Sequence, residues 1–397
     1  MGPLRPSRES LSTMRHGTRT TIALAAGLAG FALIACGSDA PGTAGSADAA
    51  TGGPAAVTAA SPPAIPVVAT VDAVHETPRD TLDNVDSPAV WHGPDGQHWL
   101  LATAKETDVV VVSDAATGEM QHRFGGEGTA PGRMDRPNGI AVVDDLVFIV
   151  ERDNARVQVF ALPGFQSLGV YGGQDLRKPY GIAVIAEGDG EYSTYITDNY
   201  EFEEDVVPPD SMLGQRVRHY RVTVVPDEVT AALASTFGDT AGAGVLRVVE
   251  SIAADPAGRR LLIAEEQEGQ SMIKVYDLDG RFTGEIIDQR FFPNEAEGIA
   301  LYDCADGGGY WIATDQSQAD NMFHVFDRRS LGHLGSFRGR TVRNTDGVAL
   351  TQVPFDGFPA GAFFAVHDDG NVAAFRWESI ATPLGLRTDC VRPRSAP

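Results

Sequence analysis

The sequence predicts an all-β protein that folds as a six-bladed β-propeller. One pattern recurs along the chain: a polar residue, a small residue, Ile or Val with Ala, a turn, and a second apolar run that ends in polar residues. Its copies lie about 45 to 50 residues apart, with one longer gap, and few segments carry helix signals. Four-stranded units at this period are typical of propeller blades. Six copies therefore predict six blades, which begin at Asp86, Asn138, Tyr180, Glu250, Glu297 and Asp346.

The N-terminal residues are predicted to be an export signal. Two arginines precede the apolar stretch "TIALAAGLAGFALIAC", which is shorter than a membrane span, and Met14 is the expected start. The four residues that end at Cys36 resemble the lipobox of bacterial lipoproteins, so residues 1–36 are predicted to be a signal peptide with Cys36 as the lipidated residue. A plain secretory signal is the alternative. Residues 37–64, rich in Ala, Gly, Ser and Pro, predict a flexible linker. We therefore expect an exported lipoprotein of the bacterial cell envelope that touches the membrane only through its lipid.

The folded domain is predicted to span residues 65–390. In most repeats a third short strand, such as "VVVVSD" or "IKVYDL", follows the second and leads into Gly-containing turns. The stretch "IPVVATVDAV" (65–74) is expected to supply the outer strand of the last blade and close the ring. Within the longer gap, "PDEVTAALASTFGD" (226–239) predicts a short helix with an aspartate cap. Cys304 and Cys390 can pair in an exported compartment, and two isolated buried thiols are the alternative.

The charge balance argues against a nucleic-acid partner. The chain carries 31 Lys and Arg against 54 Asp and Glu, a formal net charge of -23, and no basic patch is visible in the sequence. Such a surface repels a phosphate backbone. A small anionic substrate can still bind if divalent cations lie between the two sets of negative charges.

The repeats place carboxylates at one level of the propeller. In a blade the innermost strand begins on one face, and the chain returns to that face at the end of the second strand. Four of the six residues that begin the repeats are carboxylates, and we expect them to form a ring: Asp86, Glu250, Glu297 and Asp346. Close carboxylates repel one another unless they share a cation, and oxygen-only surroundings favour Ca²⁺ or Mg²⁺ over Zn²⁺. The alternative is that each is a solvated loop residue or forms an Asx-turn.

The ends of the second strands supply further polar residues, which are expected to surround this ring. They are Lys105, Glu151, Arg152, Asp198, Asn199, Glu265, Glu266, Asp315, Gln316, His367 and Asp368. Lys105 and Arg152, together with Tyr180, suit an oxyanion, because Arg holds phosphate oxygens bidentately and Lys adds a point charge. Alternatively, Arg152 pairs with Glu151 or Asp153, and Tyr180 lines the channel wall.

Several segments resemble, in order and spacing, the β-propeller phytases, which are calcium-dependent six-bladed enzymes. They are "DNVDSPAVW", "TAKE", "PYG", "VES", "IAEE", "EAEGIALYDCADGGGYWIATDQ", "TDG" and "FRWESIA", and they fall within residues 80–382. The resemblance implies a phosphomonoester hydrolase of the 3-phytase class that cleaves phytate (myo-inositol hexakisphosphate), or a related phosphoester, with a metal-activated water. It also implies several Ca²⁺ ions, a small-molecule partner, no nucleic acid and a monomer.

The resemblance also implies residue roles. Calcium would be bound by Asp83, Asp86, Tyr180, Glu250, Glu266, Glu295 and Glu297, to which the ring pattern adds Asp346. Substrate would be bound by Lys105, Arg152 and Gln316. The implied catalytic set is Lys105, Arg152, Tyr180 and Glu297.

Three positions depart from the family, and two other functions stay open. Ser87 stands in place of a second Asp, Glu106 in place of a second Lys, and Asn199 in place of a Lys on the third blade. The lost positive charge leaves room for a different phosphoester, or for a propeller that keeps calcium without efficient catalysis. Residues 124–160 resemble an NHL repeat, so a non-catalytic NHL-like binding propeller with structural calcium is the main alternative. Calcium-dependent lactonases and sugar-acid hydrolases on six-bladed propellers would need one metal and an uncharged pocket, against which Lys105 and Arg152 argue.

Overall fold

The computed structural model describes residues 69–226 and 228–393, and nearly all of their regular structure is β-strand. The predicted signal peptide (1–36), the lipid on Cys36 and the linker (37–64) lie outside the described residues. In the part of the chain that is described, no helix is long and apolar enough to cross a membrane.

The described residues form six sheets of sequentially connected strands. The two N-terminal strands are β1 (Ala69–Val71) and β2 (His75–Glu76). Blade 1 contains β3 (Val85–His92), β4 (His98–Ala104), β5 (Val109–Asp114) and β6 (Met120–Gly125). Blade 2 contains β7 (Pro137–Val143), β8 (Leu146–Glu151), β9 (Arg156–Ala161) and β10 (Gln166–Tyr171). Blade 3 contains β11 (Pro179–Gly188), β12 (Glu191–Asp198), β13 (Val217–Val224) and β14 (Val229–Phe237).

The second half of the ring repeats this arrangement. Blade 4 contains β15 (Ile252–Asp255), β16 (Arg260–Glu265), β17 (Met272–Asp277) and β18 (Phe282–Ile287). Blade 5 contains β19 (Glu295–Asp303), β20 (Gly309–Gln316), β21 (Met322–Asp327) and β22 (His333–Gly339). Blade 6 contains β23 (Val348–Thr351), β24 (Ala362–His367) and β25 (Asn371–Arg376), and the helix α1 (Trp377–Leu384) follows. Short 3₁₀ turns occupy Asp210–Met212 and Gln289–Phe291.

The innermost strands β3, β7, β11, β15, β19 and β23 form a closed ring in which each contacts the next and β23 contacts β3. Apolar side chains fill the space between neighbouring sheets. Trp91 of blade 1 packs in one cluster with Ile149 of blade 2, and Leu262 of blade 4 packs in another with Trp311 of blade 5. Burial of these faces drives the stacking of the blades. The prediction of a six-bladed β-propeller is confirmed.

The segment that closes the ring differs from the predicted one. The outer strand of blade 6 is β2, in which His75 pairs with Ala374 of β25, whereas β1 pairs in parallel with β22 of blade 5. Within the predicted stretch 65–74, the described strand Ala69–Val71 thus pairs with the fifth blade, and the two polar residues after the stretch, His75 and Glu76, close the sixth. An outer strand needs ladder hydrogen bonds more than burial, so hydrophobicity does not mark it in the sequence.

The helix predicted within 226–239 is wrong, because residues 229–237 form β14, the outer strand of blade 3, and the predicted cap Asp227 lies outside the described residues. It pairs antiparallel with β13, from Val224 opposite Val229 to Val217 opposite Phe237. Most of β14 is exposed, so its sequence lacks the alternation of apolar and polar residues that marks a half-buried strand. Its alanines have a high helix propensity. The ladder to β13 overrides this local preference.

A disulfide bond joins Cys304 to Cys390, with the two Cα atoms 5.1 Å apart. Cys304 directly follows β19, so the bond ties the segment after α1 to blade 5. Gln352 of blade 6 supports the same segment, because its Nε2 donates to the carbonyl oxygens of Asp303 and Cys390. Disulfides are typical of proteins that fold in oxidising, exported compartments.

Candidate functional site

The residues that begin the repeats lie close together because the residue after each of them is small. At Gly181 an added Cβ would lie 2.1 Å from the carbonyl oxygen of Glu250, and at Gly347 it would lie 2.5 Å from that of Asp86. Only glycine fits where the backbones of neighbouring inner strands approach so closely. Thr197 reinforces one such contact, since its Oγ1 donates to the Glu250 carbonyl at 2.8 Å.

Lys105 is a buried cation among these ring residues. Its Nζ lies 2.7 Å from Asp86 Oδ2 and 3.4 Å from Tyr180 Oη. The Tyr180 hydroxyl donates to the same Asp86 oxygen at 3.1 Å. Burial alone would lower the pKa of this lysine, but the carboxylates of Asp86, Asp346 and Glu250 outweigh burial and raise it. Lys105 is therefore held in its charged form.

Three glutamates of blades 4 and 5 converge beside this group. Glu250, Glu266 and Glu297 each offer a carboxylate oxygen, and these oxygens lie within 4.8 Å of one another. Ser251 joins two of them: its backbone N–H donates to Glu266 at 3.4 Å and its Oγ donates to Glu297 at 3.2 Å. The sequence signal for Ser251 is that a hydroxyl residue replaces the glycine of the repeat.

Burial and mutual repulsion raise the pKa of each glutamate in this cluster. Burial is the largest cause, and with the Asp86 carboxylate it outweighs Lys105 and raises the pKa of Glu250 to about 7. Burial and then the neighbouring carboxylates raise the pKa of Glu266 and Glu297 well above the usual range. Without a counter-ion, the cluster cannot carry its full negative charge near neutral pH.

Further polar groups extend this acidic cluster. Gln316 Nε2 donates to Asp346 Oδ1 at 2.8 Å, whereas the buried Asp346 Oδ2 has no hydrogen-bond partner among the described residues. Burial raises the pKa of Glu295, and its carboxylate adds to the repulsion on Glu297. Asn138, the ring residue of blade 2, is buried with neither Oδ1 nor Nδ2 partnered in the described ranges. Buried polar atoms without partners are rare, and a ligand or ion would satisfy them.

The last carboxylates of the second strands hold loops, so the expectation that they surround the ring is wrong. Asp198, for example, accepts from the backbone N–H of Lys178 at 2.8 Å and from Arg218 at 3.1 Å. Other carboxylates in this position are likewise engaged by loop amides or side chains: Glu151, Glu265 and Asp315. In blades 4 and 5 the residue after the carboxylate reaches the ring, as Glu266 and Gln316 do.

Two predicted site residues have partners elsewhere. The buried Asp83 carboxylate accepts from Thr107 at 2.6 Å and from Arg123 at 2.9 Å. Arg152 Nε donates to Asp153 at 2.6 Å, which is the pairing that the sequence left as an alternative. Within the described residues, no hydrogen bond or ion pair joins either side chain to the ring carboxylates.

The donor set of the cluster fits a hard divalent cation. The converging ligand atoms are all carboxylate oxygens, with the Tyr180 hydroxyl and Asp346 Oδ2 next to them. Ca²⁺ takes six to eight such oxygens and has no preference for the Cys and His ligands of zinc sites. A shared cation would remove the repulsion that raises the pKa values of the glutamates.

We expect the metal-free protein to lose stability as the pH rises from about 5 to about 8. The folded-state pKa of Glu250, about 7, exceeds the ordinary glutamate value of 4.5. Between these two values the folded state keeps a proton that the unfolded state has released, so the free energy of unfolding falls as pH increases. Urea titrations in chelator across this range measure the effect, and a flat or rising profile would contradict it. Added calcium should flatten the profile.

Comparison with known proteins places the family signal over these glutamates. Residues 245–375 match the family model described as Phytase. Among solved structures, hydrazine synthase of Kuenenia stuttgartiensis is 13% identical with a TM-score of 0.45, covering 80% of this chain and 86% of that chain. The structure titled "Crystal structure of Nidogen/Laminin Complex" is 14% identical with a TM-score of 0.42, covering 66% and 82% respectively. Neither similarity bears on function. The resemblance to the β-propeller phytases is confirmed over the matched segment: residues 245–375 of this six-bladed propeller match the Phytase family model.

Proposed function

We propose that the protein is a calcium-dependent phosphomonoester hydrolase that acts on phytate or a related phosphoester. The observation that carries the proposal is that Glu250, Glu266 and Glu297, with oxygens within 4.8 Å of one another, all lie inside the family-matched segment 245–375. The family match supports a phosphatase-like enzyme with a small-molecule phosphoester substrate. The identity of the metal, phytate itself and the 3-phytase class are our proposal.

The proposed cation ligands are the ring residues and their acidic neighbours: Asp86, Tyr180, Glu250, Glu266, Glu295, Glu297 and Asp346. Bound calcium would supply positive charge to the phosphate oxygens and an activated water. Asp83 is left out because Arg123 and Thr107 engage its carboxylate.

The chain's own groups position the phosphate. Lys105, which its carboxylate neighbours hold protonated, donates to a phosphate oxygen and stabilises charge that develops there. The Tyr180 hydroxyl stays protonated, because burial and the surrounding carboxylates raise its pKa. Arg152 exchanges its bond to Asp153 for the substrate, and Gln316 orients Asp346.

Phosphate release from calcium phytate by the purified protein tests this function. We expect release in the presence of calcium and its loss on addition of chelator, with recovery when calcium is restored in excess. Absence of release at every calcium concentration would overturn the proposal. If calcium then still raised the melting temperature, the NHL-like alternative, a binding propeller with structural calcium, would be favoured.

We also propose that the protein is exported and anchored by a lipid on Cys36. This rests on the sequence of residues 1–36 and is compatible with the disulfide between Cys304 and Cys390. Labelled fatty acid should be incorporated by the wild-type chain and not by Cys36→Ala. Equal labelling of both would contradict the anchor.

A further inference from the structure

We propose that Arg136 and Lys178 are substrate-binding residues that hold phosphate groups at the rim of the ring, an inference that rests on the proposed function. Both occupy the same place in consecutive blades, two residues before the ring residues Asn138 and Tyr180. Their carbonyl oxygens accept equivalent hydrogen bonds, from Arg152 N at 3.0 Å and from Asn199 N at 2.9 Å.

The backbone conformation of Arg136 indicates that its side chain has a functional role. Arg136 has φ of 51°, a left-handed conformation. The corresponding residues of blades 1 and 6 are Asn84 and Asn344, with φ of 50° and 46°. Asparagine is a residue that tolerates this conformation, whereas arginine gains nothing from it. The backbone conformation does not favour an arginine at this position, so we attribute its presence to the contacts of its guanidinium.

The guanidinium of Arg136 lies beside the ring. Its Nη1 is 2.5 Å from Glu106, the neighbour of Lys105 in the chain, and its charge interacts with Tyr180. Its Nε is buried and has no partner among the described residues. This N–H is a donor that no described protein group uses, and the half-exposed Glu106 is a partner that an anionic ligand can displace.

Lys178 offers a second cation on the next blade. The amide N–H of Lys178 is fixed by Asp198 at 2.8 Å, and its partly exposed ammonium pairs with Glu201. The side chain therefore leaves a rigid loop and ends in a carboxylate contact near solvent, which a phosphate can replace. Blades 2 and 3 thus present cations, whereas blades 4 and 5 present the glutamate cluster.

This division of charge suits a polyphosphorylated substrate. A compact monophosphate needs only the phosphate position over the acidic cluster. A ring that carries several phosphates extends beyond that cluster, and its further phosphates require cations supplied by the chain. Arg136 and Lys178 would therefore select polyphosphorylated rings over simple phosphomonoesters.

The test compares Arg136→Asn, Lys178→Met and the double variant with the wild-type protein in calcium. Arg136→Asn introduces the residue that blades 1 and 6 carry at this position, so its melting temperature should equal or exceed that of the wild type. We expect KM for phytate to rise about tenfold in each single variant, with kcat and the KM for a simple aryl phosphate little changed. Arg136→Lys should recover part of the loss, and Glu106→Gln, which frees Arg136, should lower KM.

Arg281→Met is the matched control, because Arg281 is an exposed arginine in the β17–β18 turn at the other end of its blade. Unchanged KM in Arg136→Asn and Lys178→Met, with an active wild type, would overturn this inference alone. If the wild type releases no phosphate, the affinity for myo-inositol hexakissulfate in calcium, measured by calorimetry, still tests whether Arg136 and Lys178 bind the anionic groups of the ligand. Weaker binding by Arg136→Asn and Lys178→Met than by Arg281→Met would support the inference even though the proposed hydrolysis is wrong. Equal binding by all three variants, or no binding by the wild type, would overturn the inference.

Discussion

Replacing Glu297 by Gln is expected to lower kcat for calcium phytate by at least about 100-fold while making the metal-free protein more stable. Glu297 is buried, and its neighbours Glu250 and Glu266 offer oxygens within 4.8 Å of one of its own. Its raised pKa has burial as the first cause and the neighbouring carboxylates as the second. An uncharged amide of the same shape removes that repulsion, but it also removes a ligand oxygen that carries charge.

Thermal unfolding separates these two effects. In chelator the melting temperature of Glu297→Gln should exceed that of the wild type, whereas the increase produced by calcium should be smaller. Glu285→Gln serves as the control, because Glu285 is an exposed residue on the outer strand β18. Retained activity in Glu297→Gln would remove Glu297 from the proposed site. An unchanged calcium-induced shift would show that the cluster does not bind the metal.

The number and position of the blades could be predicted because a small residue recurs at the start of each inner strand, and in four of the six blades it is a glycine with no room for a Cβ. The pairs Tyr180-Gly181 and Asp346-Gly347 recur where neighbouring backbones nearly touch, so a residue larger than glycine is excluded there. The outer strands β2 and β14 were not predicted, because no comparable steric requirement acts on them. Neither β2 nor β14 depends on burial, so the sequence of each reflects its exposure rather than its pairing.

The ring itself could be predicted from position, but the repeat pattern did not give the direction of its neighbours, and only the family resemblance named Glu266 and not Glu265. Glu265 and Glu266 are adjacent, and successive residues of an extended chain point to opposite sides. Glu265 accepts from the backbone N–H groups of Arg247 and Val248, whereas Glu266 faces Glu297. Which of two adjacent glutamates turns inward depends on the register of the strand end, and the repeat pattern does not state that register.

Replacing Lys105 by Met is expected to reduce the stability of the metal-free protein by about 3 kcal/mol and kcat/KM by about 100-fold. Lys105 Nζ lies 2.7 Å from Asp86 Oδ2 in a buried pair, and the charges of Asp346 and Glu250 also face it. Methionine keeps the length of the side chain and leaves these carboxylates without their cation. Breaking a buried pair from one side is costly because the remaining charge has no partner.

The pH dependence of this loss identifies its cause. Without Lys105 the carboxylates can avoid the penalty only by binding protons, so the destabilisation should be large at about pH 8 and smaller at about pH 5. Urea titrations of the wild type and Lys105→Met in chelator measure this difference. A loss of the same size at both pH values would instead indicate a packing defect. Calcium should restore stability to Lys105→Met without restoring activity, because the ion replaces the missing charge but not the donor to phosphate.

The two substitutions have opposite signs in the metal-free protein, and their combination tests whether one electrostatic group underlies both. Glu297→Gln removes a negative charge that is in excess, and Lys105→Met removes the positive charge that compensates part of it. Asp86, Glu250 and Asp346 face both side chains, so the effects should not add. In chelator the free energy of unfolding of the double variant should be closer to the wild-type value than the value obtained by adding the two single changes. Strict additivity would mean that Lys105 and Glu297 belong to separate sites, and the shared acidic cluster would then be wrong.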